Sequence, residues 1–85
     1  MKYTFPALIE EDKNDPGFYI INFPDLIGIG SECGPGEEMD VAKEILSLAL
    51  SIKHYRLMEP TDPEVLKKHY PNCEVMLVEV DIDED

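Results

Sequence analysis

The chain has 85 residues, of which 19 are acidic and 7 basic, for a formal net charge of −12. This length makes a single domain that buries roughly 60% of the surface its unfolded form exposes, so the core is thin and a homo-oligomer is expected. The charge excludes direct nucleic-acid binding, which needs clustered Lys and Arg, and it repels anionic membranes. It suits a basic protein partner, although acidity also serves simply to keep a small protein in solution.

The predicted elements follow from periodicity. Tyr3, Phe5, Ala7 and Ile9 alternate with Lys2, Thr4, Pro6 and Leu8, which predicts a first strand. Pro6 lacks a backbone donor, so this strand has an open edge near Pro6 or a bulge there. Residues 10–17 are polar and end in Asp15-Pro16-Gly17, a turn signal. Residues 18–23 make a second strand with Tyr19, Ile21 and Phe23 on one face, and the two strands form an antiparallel hairpin. A turn over residues 24–28 leads to a short third strand over 29–33, stopped by Gly34-Pro35-Gly36.

A helix is predicted over about residues 37–56, with Glu37 and Glu38 at its positive end. Its apolar positions cover an arc of roughly 200°, wider than one sheet contact requires. The excess implies a second contact, either the segment after the helix or another subunit. Pro60 and Pro63 break the helix, residues 64–70 form a helical turn with Pro63 at its first position, and residues 74–82 form the last strand. Met76, Val78, Val80 and Ile82 share one face of that strand. The order β-β-β-α-β is a two-layer α+β domain, a small sheet with one main helix packed on one face. The last strand is expected to lie parallel to an earlier one through a right-handed crossover.

Chemistry-bearing residues are sparse. Cys33, Cys73, His54 and His69 lie on separate elements and match no zinc spacing, so free thiols are expected. Glu10, Glu11, Glu79 and Asp81 stand near strand ends, where a nuclease holds Mg²⁺, but few bases accompany them to hold phosphate. Gly28-Ile29-Gly30 and Gly34-Pro35-Gly36 fit neither the P-loop nor the dinucleotide pattern. No enzyme activity, metal or cofactor is expected. No apolar run approaches the ~20 residues of a membrane span, and no secretory signal precedes the first strand, so a cytoplasmic setting is expected. Binding through surfaces remains. Tyr19 and the acidic terminal cluster of Glu79, Asp81, Asp83, Glu84 and Asp85 are the candidate partner surface. For the aromatic residues Tyr3, Phe5, Tyr19 and Phe23, filling the core is the competing fate.

Four segments in order carry a resemblance: residues 1–7 (MKYTFPA), 18–28 (FYIINFPDLIG), 42–46 (AKEIL) and 75–81 (VMLVEVD). The set resembles the HicB family, the antitoxin half of bacterial HicA–HicB toxin–antitoxin pairs. The resemblance implies a partial ribonuclease-H-like fold without nuclease activity. It also implies a function: binding and neutralising a small, basic HicA-like ribonuclease toxin by covering its RNA-binding surface. An orphan HicB-like regulatory or small-molecule-binding domain without a toxin is the alternative. Within the family motif, Phe23, Pro24, Asp25, Leu26 and Gly28 read as a structural turn, with Asp25 capping backbone N–H groups inside it and Gly28 supplying backbone freedom. Family members often carry a carboxy-terminal DNA-binding domain. Here a single domain over residues 1–85 is expected, without a separate DNA-binding domain. The family's Gly-x-Thr/Ser approach to the helix is replaced by Gly34-Pro35-Gly36-Glu37-Glu38-Met39.

Overall fold

The computed structural model describes residues 1–83. Four strands, β1 (Lys2–Glu11), β2 (Tyr19–Asn22), β3 (Gly30–Cys33) and β4 (Glu74–Asp81), form one sheet in the order β3-β2-β1-β4. Three helices, α1 (Glu38–Leu50), α2 (Lys53–Arg56) and α3 (Pro63–His69), lie between β3 and β4. The architecture is α+β, as the periodicity predicts.

Every neighbouring pair in the sheet is antiparallel, including β1 with β4. The expected parallel last strand is therefore corrected, and the path of the chain gives the reason. Cys33, at the end of β3, faces Tyr19, which faces Glu11, so α1 starts from the Glu11 end of the sheet. Thirteen helical residues carry the chain about 20 Å toward the opposite end. Residues 51–73 then bring it back, and β4 begins at Glu74 opposite Ile9.

β1 is central, yet it tolerates Pro6. The amide of Asp12 donates to Phe18 O at 2.9 Å, so even-numbered residues of β1 turn their backbone groups toward β2. Pairing with β2 stops at Leu8↔Asn22. Pro6 thus points its missing donor where no partner strand runs, the open-edge solution.

Phe5, Ala7, Ile9, Ile21, Val78 and Val80 share the face covered by α1, whose Ala42, Leu46, Ala49 and Leu50 are buried against them. The reverse face is not bare. Pro6 and Leu8 point to it and are buried, and Leu66 of α3 is buried outside the main core. Tyr70 and Cys73 line a small hollow with Leu8, Glu10, Ile20 and Asn22. The stretch from α3 to Cys73 therefore lies over part of that face, adding a partial third layer to the expected two.

The long helix is also corrected: it ends at Leu50, and Ile52 is extended (φ −90°, ψ 112°) before α2. The Ser51 hydroxyl donates to Leu48 O at 2.6 Å, and Arg56 Nε donates to Leu50 O at 2.6 Å. The Leu48 carbonyl also accepts from the Ser51 amide at 3.2 Å, so both side chains bond carbonyls that the break deprives of their regular α-helical donors. The short helix α3 starts as predicted: Pro63 occupies its first turn and the Asp62 carboxylate accepts from the Glu64 amide at 2.9 Å. Among the described residues, no helix is long and apolar enough to cross a membrane.

Candidate functional site

The turn at residues 23–29 is two successive β-turns. Leu26 N–H donates to Phe23 O at 3.0 Å, and Ile29 N–H donates to Leu26 O at 3.0 Å. Gly28 sits at φ +86°, the conformation the second turn demands and L side chains resist. Phe23 and Leu26 are fully buried in the core, so the turn is fastened from within. Asp25 departs from expectation. The bonds found for its carboxylate go outside the turn, accepting from the Thr61 amide at 2.9 Å and from the Thr61 hydroxyl. Asp25 is therefore a latch between the β2–β3 turn and the segment that leads into α3.

Among the described residues, the candidate partner residues do not form one patch. Tyr19 faces Glu11 at one end of β1 and is half-buried against the core, so it is not a free aromatic anchor. Asp81 faces Lys2 at the other end, roughly 30 Å away along the strand. Its carboxylate accepts from the Met1 amino group at 2.9 Å, which spends part of its charge internally. Glu79 and Asp83 are exposed, while Glu84 and Asp85 lie outside the described residues. The four carboxylates considered for a metal do not converge, because Glu10 and Glu11 belong to the Tyr19 end and Glu79 and Asp81 to the Met1 end.

A different acidic group does converge. Carboxylate oxygens of Asp12, Asp15 and Glu32 lie within 4.8 Å of one another. Asp12 and Asp15 belong to the β1–β2 loop, and Glu32 reaches them from β3 across the sheet. The side-chain hydrogen bond between Glu32 and Asp12 holds Asp12 below the usual carboxylate range, helped by the Asn14 amide. The same bond pushes Glu32 up, with burial and the charges of Asp12 and Asp15 adding to it. Glu32 keeps its proton longer in the folded chain, so its contribution to stability is present at low pH and fades as pH rises through its raised pKa. Asp12 acts oppositely and loses its contribution as pH falls. Glu32→Gln should make the decline in melting temperature above about pH 4.5, the ordinary Glu value, shallower than in the parent. Parallel melting profiles for variant and parent across that range would contradict the shared proton.

Beside this group runs an open strand edge. Phe23 N–H donates to Ile29 O at 3.1 Å, so the alternation of the ladder turns odd-numbered residues of β3 toward β2. The backbone N–H and C=O groups of Gly30 and Glu32 consequently point outward. A Cβ on Gly30 would stand 2.8 Å from Ile21 O, so only glycine lets β3 approach β2 this closely. Two hollows meet along this edge and share Gly28, Ile29 and Gly30. One, of about 250 Å³, is lined on the helix side by Ile45, Leu48, Ala49 and Ile52. The other, of about 470 Å³, opens on the reverse face beside Ile20, Asn22 and Glu32. Leu48 is 66% and Ile52 54% exposed, so the excess apolar width of the helical segment is covered neither by the sheet nor by the chain after it.

Both thiols are free, with Cys33 buried and Cys73 half-buried. Burial pushes both up, reinforced by Glu38 and Glu37 near Cys33 and by Glu10 near Cys73. Alkylation at neutral pH should therefore be slower at both than at an unfolded control peptide, since the thiolate is the reacting species. Modification at the unfolded rate would contradict the packing at these sites.

Sequence reasoning missed three features: the Asp25–Thr61 latch, the Asp12–Asp15–Glu32 group and the groove beside β3. The 36-residue separation hid the latch. A register for the three-strand meander would have exposed the acidic group, because it sets Glu32 beside the strand that leaves the Asp12–Asp15 loop. Comparison of the chain with protein-family models, with curated proteins and with solved structures finds no match.

Proposed function

We propose that this chain is a non-catalytic domain of the HicB-like antitoxin type, which binds a small basic HicA-like ribonuclease toxin and keeps RNA out of its active surface. The observation that carries the reading is the buried turn at residues 23–28, within a chain that runs three strands, three helices and a final strand. Phe23 and Leu26 anchor that turn in the core and Gly28 closes it at positive φ. The net charge of −12 supports it, because a surface built to hold RNA is basic and an acidic partner complements it. A partial ribonuclease-H-like ancestry and a cytoplasmic setting belong to the same reading, and the antiparallel β4 is the feature that this ancestry must accommodate. Self-association belongs to it as well: sedimentation velocity should show a species heavier than the 9.7 kDa chain, and a monomer at every concentration contradicts that part.

Co-expression with a small basic HicA-like protein tests the reading. The two should co-purify at low salt and separate as salt rises, because screening shortens the range of a charge-steered attraction. Failure to associate at low salt contradicts it.

A further inference from the structure

The β3 edge combines three properties not found together elsewhere among the described residues. It offers outward-facing backbone groups at Gly30 and Glu32, outside the sheet ladder and engaged only by a long 3.4 Å bond from the Ser31 hydroxyl to Glu32 O among the described residues, an apolar groove on the helix side, and concentrated negative charge on the reverse face. An added strand would place successive side chains alternately on those two sides. Its chemistry is thereby specified: apolar residues toward Ile29, Ile45, Leu48 and Ile52, and cationic residues toward Glu32, Asp12 and Asp15. A second copy of this chain fits poorly. Pairing two β3 edges would bring the two carboxylate groups together in molecules that each carry a charge of −12. The opposite edge, β4, is longer, with outward backbone groups at Val75, Leu77, Glu79 and Asp81, but no groove flanks it among the hollows described above.

We propose that the β3 edge is the docking site for an extended segment of a partner protein in which apolar and basic residues alternate, and that this segment adds to the sheet as a fifth strand. The inference rests on the reading of the chain as a protein-binding domain, but it names the edge and the kind of segment, and it does not require the partner to be a toxin.

The test uses a capped synthetic peptide of alternating valine and arginine, with a peptide of the same composition in two blocks as control. Binding is followed by amide and methyl NMR of the full chain. The alternating peptide should shift the Gly30 and Glu32 amides and the Leu48 and Ile52 methyl groups, and should bind more tightly than the block peptide. Leu48→Glu and Glu32→Lys, both at exposed positions, should each weaken binding roughly tenfold or more, whereas Leu77→Glu on the β4 edge should leave it unchanged. Equal binding of the two peptides would reduce the effect to charge alone and overturn the proposal. Sensitivity to Leu77→Glu with indifference to Leu48→Glu would move the site to β4 and overturn it. A homo-oligomer of the free chain that Leu48→Glu dissolves would assign the edge to a second copy, with the same consequence. Because no toxin enters the assay, failure here is separable from failure of the antitoxin reading.

Discussion

Phe23→Ala is expected to destabilise the domain by about 3–5 kcal/mol, the range for truncating a buried aromatic side chain. Phe23 is fully buried and packs in the same cluster as Leu26, Leu46 and Leu50. Its truncation opens a cavity where β2 ends, and the turn loses the anchor that aims the chain into β3. A domain of this size holds only about 0.05–0.15 kcal/mol per residue, so the loss is a large share of the total. Urea denaturation of parent and variant measures it directly. Ile27→Ala is the matched control, because Ile27 lies in the same loop but is 86% exposed. It should change stability by no more than about 0.5 kcal/mol. Equal effects of the two substitutions would show that the turn is not fastened by Phe23.

Asp25→Ala should produce the next largest effect, about 1.5–3 kcal/mol, the range for hydrogen bonds to a charged acceptor. It removes the acceptor of both Thr61 bonds and strands the part-buried Thr61 amide. Thr61→Val removes only the hydroxyl bond and should cost about 1 kcal/mol. The double variant should cost less than the sum, because the two residues share one interaction. Hydrogen exchange gives a second readout. With the latch broken, the amides of Thr61 and Leu66 should exchange faster than those of β1 and β4, because α3 would part from the sheet before the sheet itself opens. Uniform acceleration across the chain would contradict a local latch.

The sheet was legible because its signals are local. Alternation marked β1 and β4, Asp15-Pro16-Gly17 marked the first hairpin, and Gly17 and Gly28 occupy the positive-φ positions those turns need. Pro63 and Asp62 likewise announced the start of α3. The end of α1 carries no such signal. Neither Gly nor Pro stands at residues 51–52, and the break depends on Ser51 and Arg56 satisfying carbonyls that a continuous helix would have used. The direction of β4 was hidden for a related reason: it depends on how residues 51–73 return across the reverse face, and that path is set by Leu66 and the Asp25–Thr61 contact.

The same break shapes the candidate interface. Ending α1 at Leu50 leaves Leu48 and Ile52 exposed beside an open strand, so the apolar excess visible in the sequence became a groove. The charge pattern is divided as well. Asp81 is tied to the Met1 amino group, while Glu32, Asp12 and Asp15 crowd together at the far end of the sheet. Negative charge near the β3 edge is thus concentrated where a cation can relieve mutual repulsion.

The most direct test of the antitoxin proposal is RNA cleavage by a small basic HicA-like ribonuclease, measured with and without an equimolar amount of the chain. Cleavage should be abolished at low salt and should recover as salt dissolves the complex. Cleavage that proceeds unchanged at low salt in the presence of the folded chain would contradict it.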